Sequence, residues 1–146
     1  MEKTIYIQLI SAFLVSSAFA ILSNTPKKIL VLCGISGMMG WLVYIILIRS
    51  SYSQILAVFF GACMVNMLAE IFARTFKHPV PLFLIPGIIP LVPGAGMYNT
   101  MNALIKNNID LAIKTGMKTL LIAGSIAIAL MLISSFNKFF KILIKK

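Results

Sequence analysis

The stretch HPVPLFLIPGIIPLVPGAGMYNT, residues 78–100, decides how this chain is read: Pro79, Pro81, Pro86, Pro90 and Pro93 stand with Gly87, Gly94 and Gly96 inside an otherwise apolar segment. Each interior proline lacks an N–H and crowds the carbonyl four residues back, so a helix here must kink or unwind between Pro86 and Gly96. Peptide groups released by such a break cannot face hydrocarbon. They persist at membrane depth only when buried in protein or lining a polar cavity, as in the discontinuous helices of secondary transporters. A helix restarting near Gly96 points its first amides into the break, which favours an anionic group such as a carboxylate. The candidate substrate-binding or gating residues are therefore Pro86, Gly87, Pro90, Pro93, Gly94, Gly96, Tyr98 and Asn99, with Thr100 and Asn102 adding polarity. A kinked helix packed for shape alone is the structural alternative. Gly94-Ala-Gly96 lacks the Gly-Lys-Ser/Thr ending of a phosphate loop, so ATP is not the direct energy source through this chain.

The sequence outside this stretch is apolar too. Of 146 residues, 60% are hydrophobic and 11% charged, against about 45–50% and about 25% in soluble domains. A chain this short cannot hide that excess inside a globule and needs lipid or a partner to cover it. Spans are expected at residues 5–22, 29–48, 54–73, 80–105 (broken) and 117–136, followed by a basic amphipathic tail at 137–146. Each is near the roughly 20 residues that cross a hydrocarbon layer about 30 Å thick. The expected fold is an all-α integral membrane protein, residues 1–146 forming one transmembrane domain of about five helices, the fourth broken by Pro and Gly. The first span resembles a secretory signal through Lys3, its apolar core and Ala18-Phe-Ala20. Glu2 weakens that reading, and Lys27 and Lys28 look more like the flank of a retained helix.

The formal charge of +10 first suggests nucleic acid, but the cations sit in gaps between apolar runs or in the tail, where juxtamembrane lysines belong. No nucleic-acid partner is expected. Alternate sides hold Lys27, Lys28, Arg74, Lys77, Lys138, Lys141, Lys145 and Lys146 against Lys3, Arg49, Lys106, Lys114 and Lys118. That bias places the N-terminus outside and the C-terminus in the cytoplasm of a bacterial inner membrane, with the tail lying on anionic headgroups.

Glu70 borders an apolar run, with Asn66 one turn earlier on the same face, and both are proton-coupling candidates because an ionisable group near membrane depth is costly. The plainer reading pairs Glu70 with Arg74 four residues on. Gly34, Gly37 and Gly40 recur every three residues, a seam for close helix approach or a sliding surface. Cys33 and Cys63 lie in apolar runs without CxxC spacing, and His78 has no carboxylate cluster, so no metal, cofactor or catalytic triad is expected and the chain does not read as an enzyme.

At Lys77-His-Pro79, Ile85-Pro-Gly-Ile-Ile-Pro-Leu-Val-Pro-Gly94 and Tyr98 the chain resembles the threonine/serine exporter family, specifically the short membrane subunit of its split, two-component members. The resemblance extends more weakly over the glycine-bearing second span and over Ala69-Glu-Ile-Phe-Ala-Arg74, thus over most of the chain. It implies export of small amino acids such as threonine and serine, or of small carboxylates, by a secondary exporter working with a longer partner subunit. Its matched positions are Pro86, Gly87, Pro90, Pro93, Gly94 and Tyr98. The rival expectation is a non-transporting scaffold or assembly subunit whose broken helix only shapes an interface.

Overall fold

The structure, a computed structural model, describes the backbone of residues 2–144 and the side chains of residues 4–136. All regular structure among the described residues is helical: α1 (Glu2–Leu22), α2 (Leu30–Arg49), α3 (Gln54–Phe76), α4 (Pro81–Ile88), α5 (Gly94–Ile105) and α6 (Ile109–Ile144), with short 3-10 turns at Lys27–Ile29 and Ile89–Leu91. Four helices are long and apolar enough to cross a membrane, and the pair Pro81–Leu91 and Gly94–Ile105, bent by 54°, brings the number of candidate spans to as many as five. The tail predicted at 137–146 has side chains that fall outside the described residues.

Turn chemistry sets the reversals. Ser53 caps α3 by accepting from the Leu56 amide at 3.4 Å, a satisfied helix N-terminus. Lys77 closes α3 in the left-handed region with φ 55°, and the His78 amide donates to the Ala73 carbonyl at 3.1 Å. Pro79 then prevents continuation, and Pro81 opens α4 where its missing N–H costs nothing. Asn107 ends α5 in the same left-handed way, with φ 54° and the Asn108 amide on the Ala103 carbonyl at 2.9 Å, while the Asn108 side chain accepts from the Leu111 amide at 3.2 Å. Two successive asparagines thus close one helix and open the next. From the sequence, the last span is expected to begin only at 117, after a connection that follows residue 105. In the structure α6 starts at Ile109, because Asn108 supplies the cap and Lys114 and Lys118 are good helix formers.

The seam of Gly34, Gly37 and Gly40 packs against three neighbours in turn. A step of three residues falls short of a full helical turn by about 60°, so the row of missing side chains winds around α2. Gly34 lies against Phe13 and Ser17 of α1, Gly37 against Ser16 of α1 and the Gly87 carbonyl of α4, and Gly40 against Val65 and Gly61 of α3. A Cβ at Gly87 would stand 2.7 Å from the Ser36 hydroxyl and 2.9 Å from Val65. With no hydrophobic drive between helices in lipid, such close approach is what holds them together.

Two apolar clusters mark the height of each element. Phe83 of α4 joins Cys33, Ala69 and Ala73 in one, and Leu91 joins Val58, Ala62, Val65, Ile122 and Ile126 in the other. Asn66 of α3, wholly buried, donates to the Leu130 carbonyl at 2.9 Å and the Ser134 hydroxyl at 3.2 Å. Gln54 and Val58 of α3 share a wall with Lys118 and Ile122 of α6, while Asn66 further on meets Leu130, so α3 and α6 run parallel, and the leg between them travels from the C-terminal end of α3 to beyond its N-terminal end. That is a traverse of the bundle rather than a hairpin that turns back. The offset that brings Asn66 to Leu130 also brings Gln54 to Lys118, so Ile109–Met117 extends about 13 Å past the start of α3. There α5 packs against α6, whereas α4 is wedged among α1, α2 and α3.

Candidate functional site

The break lies later in the chain than the prolines alone indicate. Pro86 sits inside α4, which continues to Ile88. Pro86 cannot donate to the Leu82 carbonyl, and the Cys33 thiol of α2 donates there instead at 3.3 Å. The Pro86 carbonyl accepts from Ile89, and the Ile89 carbonyl from Val92 at 3.2 Å, both in tight 3-10 fashion. These substitutions mend the ladder as far as Val92. Beyond it, the Gly94 amide turns to the Val92 carbonyl at 2.8 Å, and the first regular bond of α5 runs from Met97 to the Pro93 carbonyl at 3.1 Å. The carbonyls of Pro90 and Leu91 and the amides of Ala95 and Gly96 have no partner among the described residues. Unmatched backbone groups therefore gather at residues 90–96.

A cavity of about 400 Å³ opens at that point. Its walls are the break from Pro90 to Gly96, Trp41 and Tyr44 of α2, Gln54 and Val58 of α3, Asn99 of α5, and Thr115, Lys118, Thr119 and Ile122 of α6. Trp41 and Tyr44 stack with ring centroids 4.8 Å apart, and the buried indole N–H of Trp41 has no hydrogen-bond partner among the described residues. Lys118 is exposed and makes no ion pair or hydrogen bond there. Neither Glu70 nor Asp110 reaches the lining. The cavity thus offers one ammonium and two free amides at the start of a 12-residue helix as donors. Its acceptors are neutral: the Pro90 and Leu91 carbonyls with Gln54, Asn99 and the threonines. A carboxylate is matched by charge and by the helix terminus, and a neutral polar group by the carbonyls. Gln54 stands in the first turn of α3, so the cavity sits towards one end of the bundle rather than at its middle.

The structure divides the sequence-predicted residues into three groups. Pro90, Pro93, Gly94, Gly96 and Asn99 line the cavity. Pro86 and Gly87 are buried in the packing around α2 and α3 and do not line it. Tyr98 is 70% exposed on the far face of α5. Glu70 pairs with Arg74 at 3.5 Å, while Asn66 turns to α6, so no hydrogen bond links the two proton-coupling candidates and both lie outside the cavity. The Asn66 side-chain oxygen Oδ1 is buried and unpartnered among the described residues. Sequence reasoning passed over Lys118, Gln54, Trp41 and Tyr44. The i, i+3 spacing of Trp41 and Tyr44 marks one face of α2, and Lys118 follows Thr115 by the same interval. Those intervals were the available signal. Among the described residues no three His, Cys, Asp or Glu converge as metal ligands.

The family described as "Threonine/Serine exporter, ThrE" matches residues 8–136. A protein of Haemophilus influenzae, described as uncharacterized, is 29% identical over 107 residues, covering 73% of this chain and 35% of its own length. The chain therefore spans about a third of that relative. No solved structure matches.

Proposed function

Because the chain belongs to the threonine/serine exporter family, we propose that it is the membrane subunit of a secondary exporter of small amino acids or small carboxylates, and that cargo meets it in the cavity at the α4–α5 break. The supporting observation is the cavity itself: unmatched peptide groups of residues 90–96 and the unpaired cation of Lys118 share one space. Backbone left open in a spanning segment is costly unless something polar meets it. A longer subunit of the same family completes the pathway, since this chain spans only about a third of its longer relative. The bilayer is a bacterial inner membrane with the N-terminus outside, an orientation that puts the cavity nearer the outer face. Glu70 carries the coupling proton.

The test is flux of threonine, serine and a small dicarboxylate in vesicles holding the chain alone or with its longer subunit. Lys118→Gln should raise the half-saturating concentration of the transported compound about tenfold, the loss of one charge-assisted contact, at equal amounts of assembled protein. Unchanged saturation sinks the site. Assembly without flux under any pairing would favour the scaffold reading.

A further inference from the structure

A second cavity, of about 340 Å³, lies further along the α5–α6 hairpin. Asn102, Lys106 and Asn108 face it, and it shares Asn99 and Thr115 with the first cavity. The sharing follows from helical spacing. On α5, Gly96, Asn99, Asn102 and Lys106 fall at intervals of three or four residues, and on α6 Asn108, Leu111, Thr115 and Lys118 do the same. Each row lies on one face of its helix and is polar except at Gly96 on α5 and Leu111 on α6. The opposite faces are apolar: Met97, Met101, Leu104, Ile105, Ile113 and Met117 are all exposed. The two cavities adjoin at Asn99 and Thr115. Gly96 and Lys106, towards their far ends, are about 15 Å apart along the helix. Each end carries one lysine, Lys118 or Lys106, neither of which has an ion-pair partner among the described residues. Asp110, though on the first turn of α6, lines neither cavity.

We infer that Asn102, Lys106 and Asn108 form an outer subsite for a small carboxylate anion, and that cargo passes between this subsite and the inner cavity past Asn99 and Thr115. The inference rests on the inner cavity being the cargo site and adds the route and its charge selection. Lysines at both ends with no acid between raise the local concentration of anions and repel cations, as basic rings do in anion-selective pores. Asn99, common to both cavities, contacts cargo at either position.

The test needs neither transport nor a known cargo. In full-length chain in cell membranes, with Cys33→Ser and Cys63→Ala as background, Asn102→Cys and Asn99→Cys are titrated with an anionic sulfonatoethyl and a cationic trimethylammonioethyl methanethiosulfonate. Both positions should react, faster with the anion. Adding Lys106→Gln should lower the anion-to-cation rate ratio about tenfold at Asn102→Cys, the effect of one charge about 6 Å away in water, and about threefold at the deeper Asn99→Cys. An Asn102→Cys that is unreactive, or indifferent to Lys106→Gln, overturns the subsite. A reactive Asn99→Cys indifferent to Lys106→Gln overturns the connection. Failure of the inner cargo site appears separately, as unchanged saturation in Lys118→Gln.

Discussion

The two halves of the broken span have opposite surroundings. α4 is gripped on three sides: the Leu82 carbonyl takes a hydrogen bond from Cys33, and Gly87 has no room for even one more carbon between Ser36 and Val65. α5 leans on α6, and a Cβ added at Gly94 would meet nothing within 4 Å. The difference shows what several prolines do in one membrane segment. Where neighbours supply substitute donors, as at Pro86, a proline is absorbed into a helix. Past Pro90 and Pro93 the released carbonyls of Pro86 and Ile89 are met only by tight 3-10 turns, and the groups those turns leave behind, the Pro90 and Leu91 carbonyls and the Ala95 and Gly96 amides, stay open at the cavity. The fixed half sets the position of the break, and the free half carries the polar groove.

Substitutions test that contrast, beginning with the largest effect. Gly87→Leu overpacks the junction and should destabilise the detergent-solubilised protein by about 3 kcal/mol, lowering its Tm by roughly 8 °C. Gly94→Ala should shift Tm by less than ~2 °C, since the site is open and alanine favours helix. Similar losses at the two glycines would erase the distinction between the halves. Asn66→Leu should cost about 1–2 kcal/mol, because it removes the two hydrogen bonds that fix α6 to α3. A larger fall in unfolding temperature than for Gly87→Leu would show that the α3–α6 clamp, not the glycine junction, holds the bundle. Glu70→Gln should cost about 0.5 kcal/mol at most, as Arg74 is more than half exposed and the pair is screened. The same variant should slow flux driven by a pH gradient, and undiminished flux would leave Glu70 a structural role alone.

Much of this architecture was legible because it depends on local chemistry. Apolar length marked the spans, proline and glycine marked the broken one, and the three-residue glycine interval marked the seam on α2. The extent of the break was not legible. Whether the Leu82 carbonyl released by Pro86 finds a donor depends on Cys33, 49 residues earlier in the chain, and nothing in the local pattern reports that contact. The start of α6 was missed for a different reason: Lys114 and Lys118 read as loop charges, yet the Asn107-Asn108 pair turns the chain early and places both lysines on helix. The cavity wall suffered most, since Trp41, Gln54 and Lys118 lie on three elements that meet only through the parallel register of α3 and α6. Pro86, Gly87 and Tyr98 share a motif with residues that do line the site. Packing assigns the first two to the junction and faces the third outward.

The most direct measurement is cargo flux through the chain assembled with the proposed longer subunit after Pro90→Ala and Pro93→Ala are introduced together. Restored donors at 90 and 93 allow the ladder to close across residues 90–96 and the open peptide groups to disappear. Flux should fall below about a tenth of the unsubstituted rate while the amount of assembled complex stays the same. Flux at the unsubstituted rate, in protein whose helix has straightened, would contradict the claim that open backbone at the break meets the cargo.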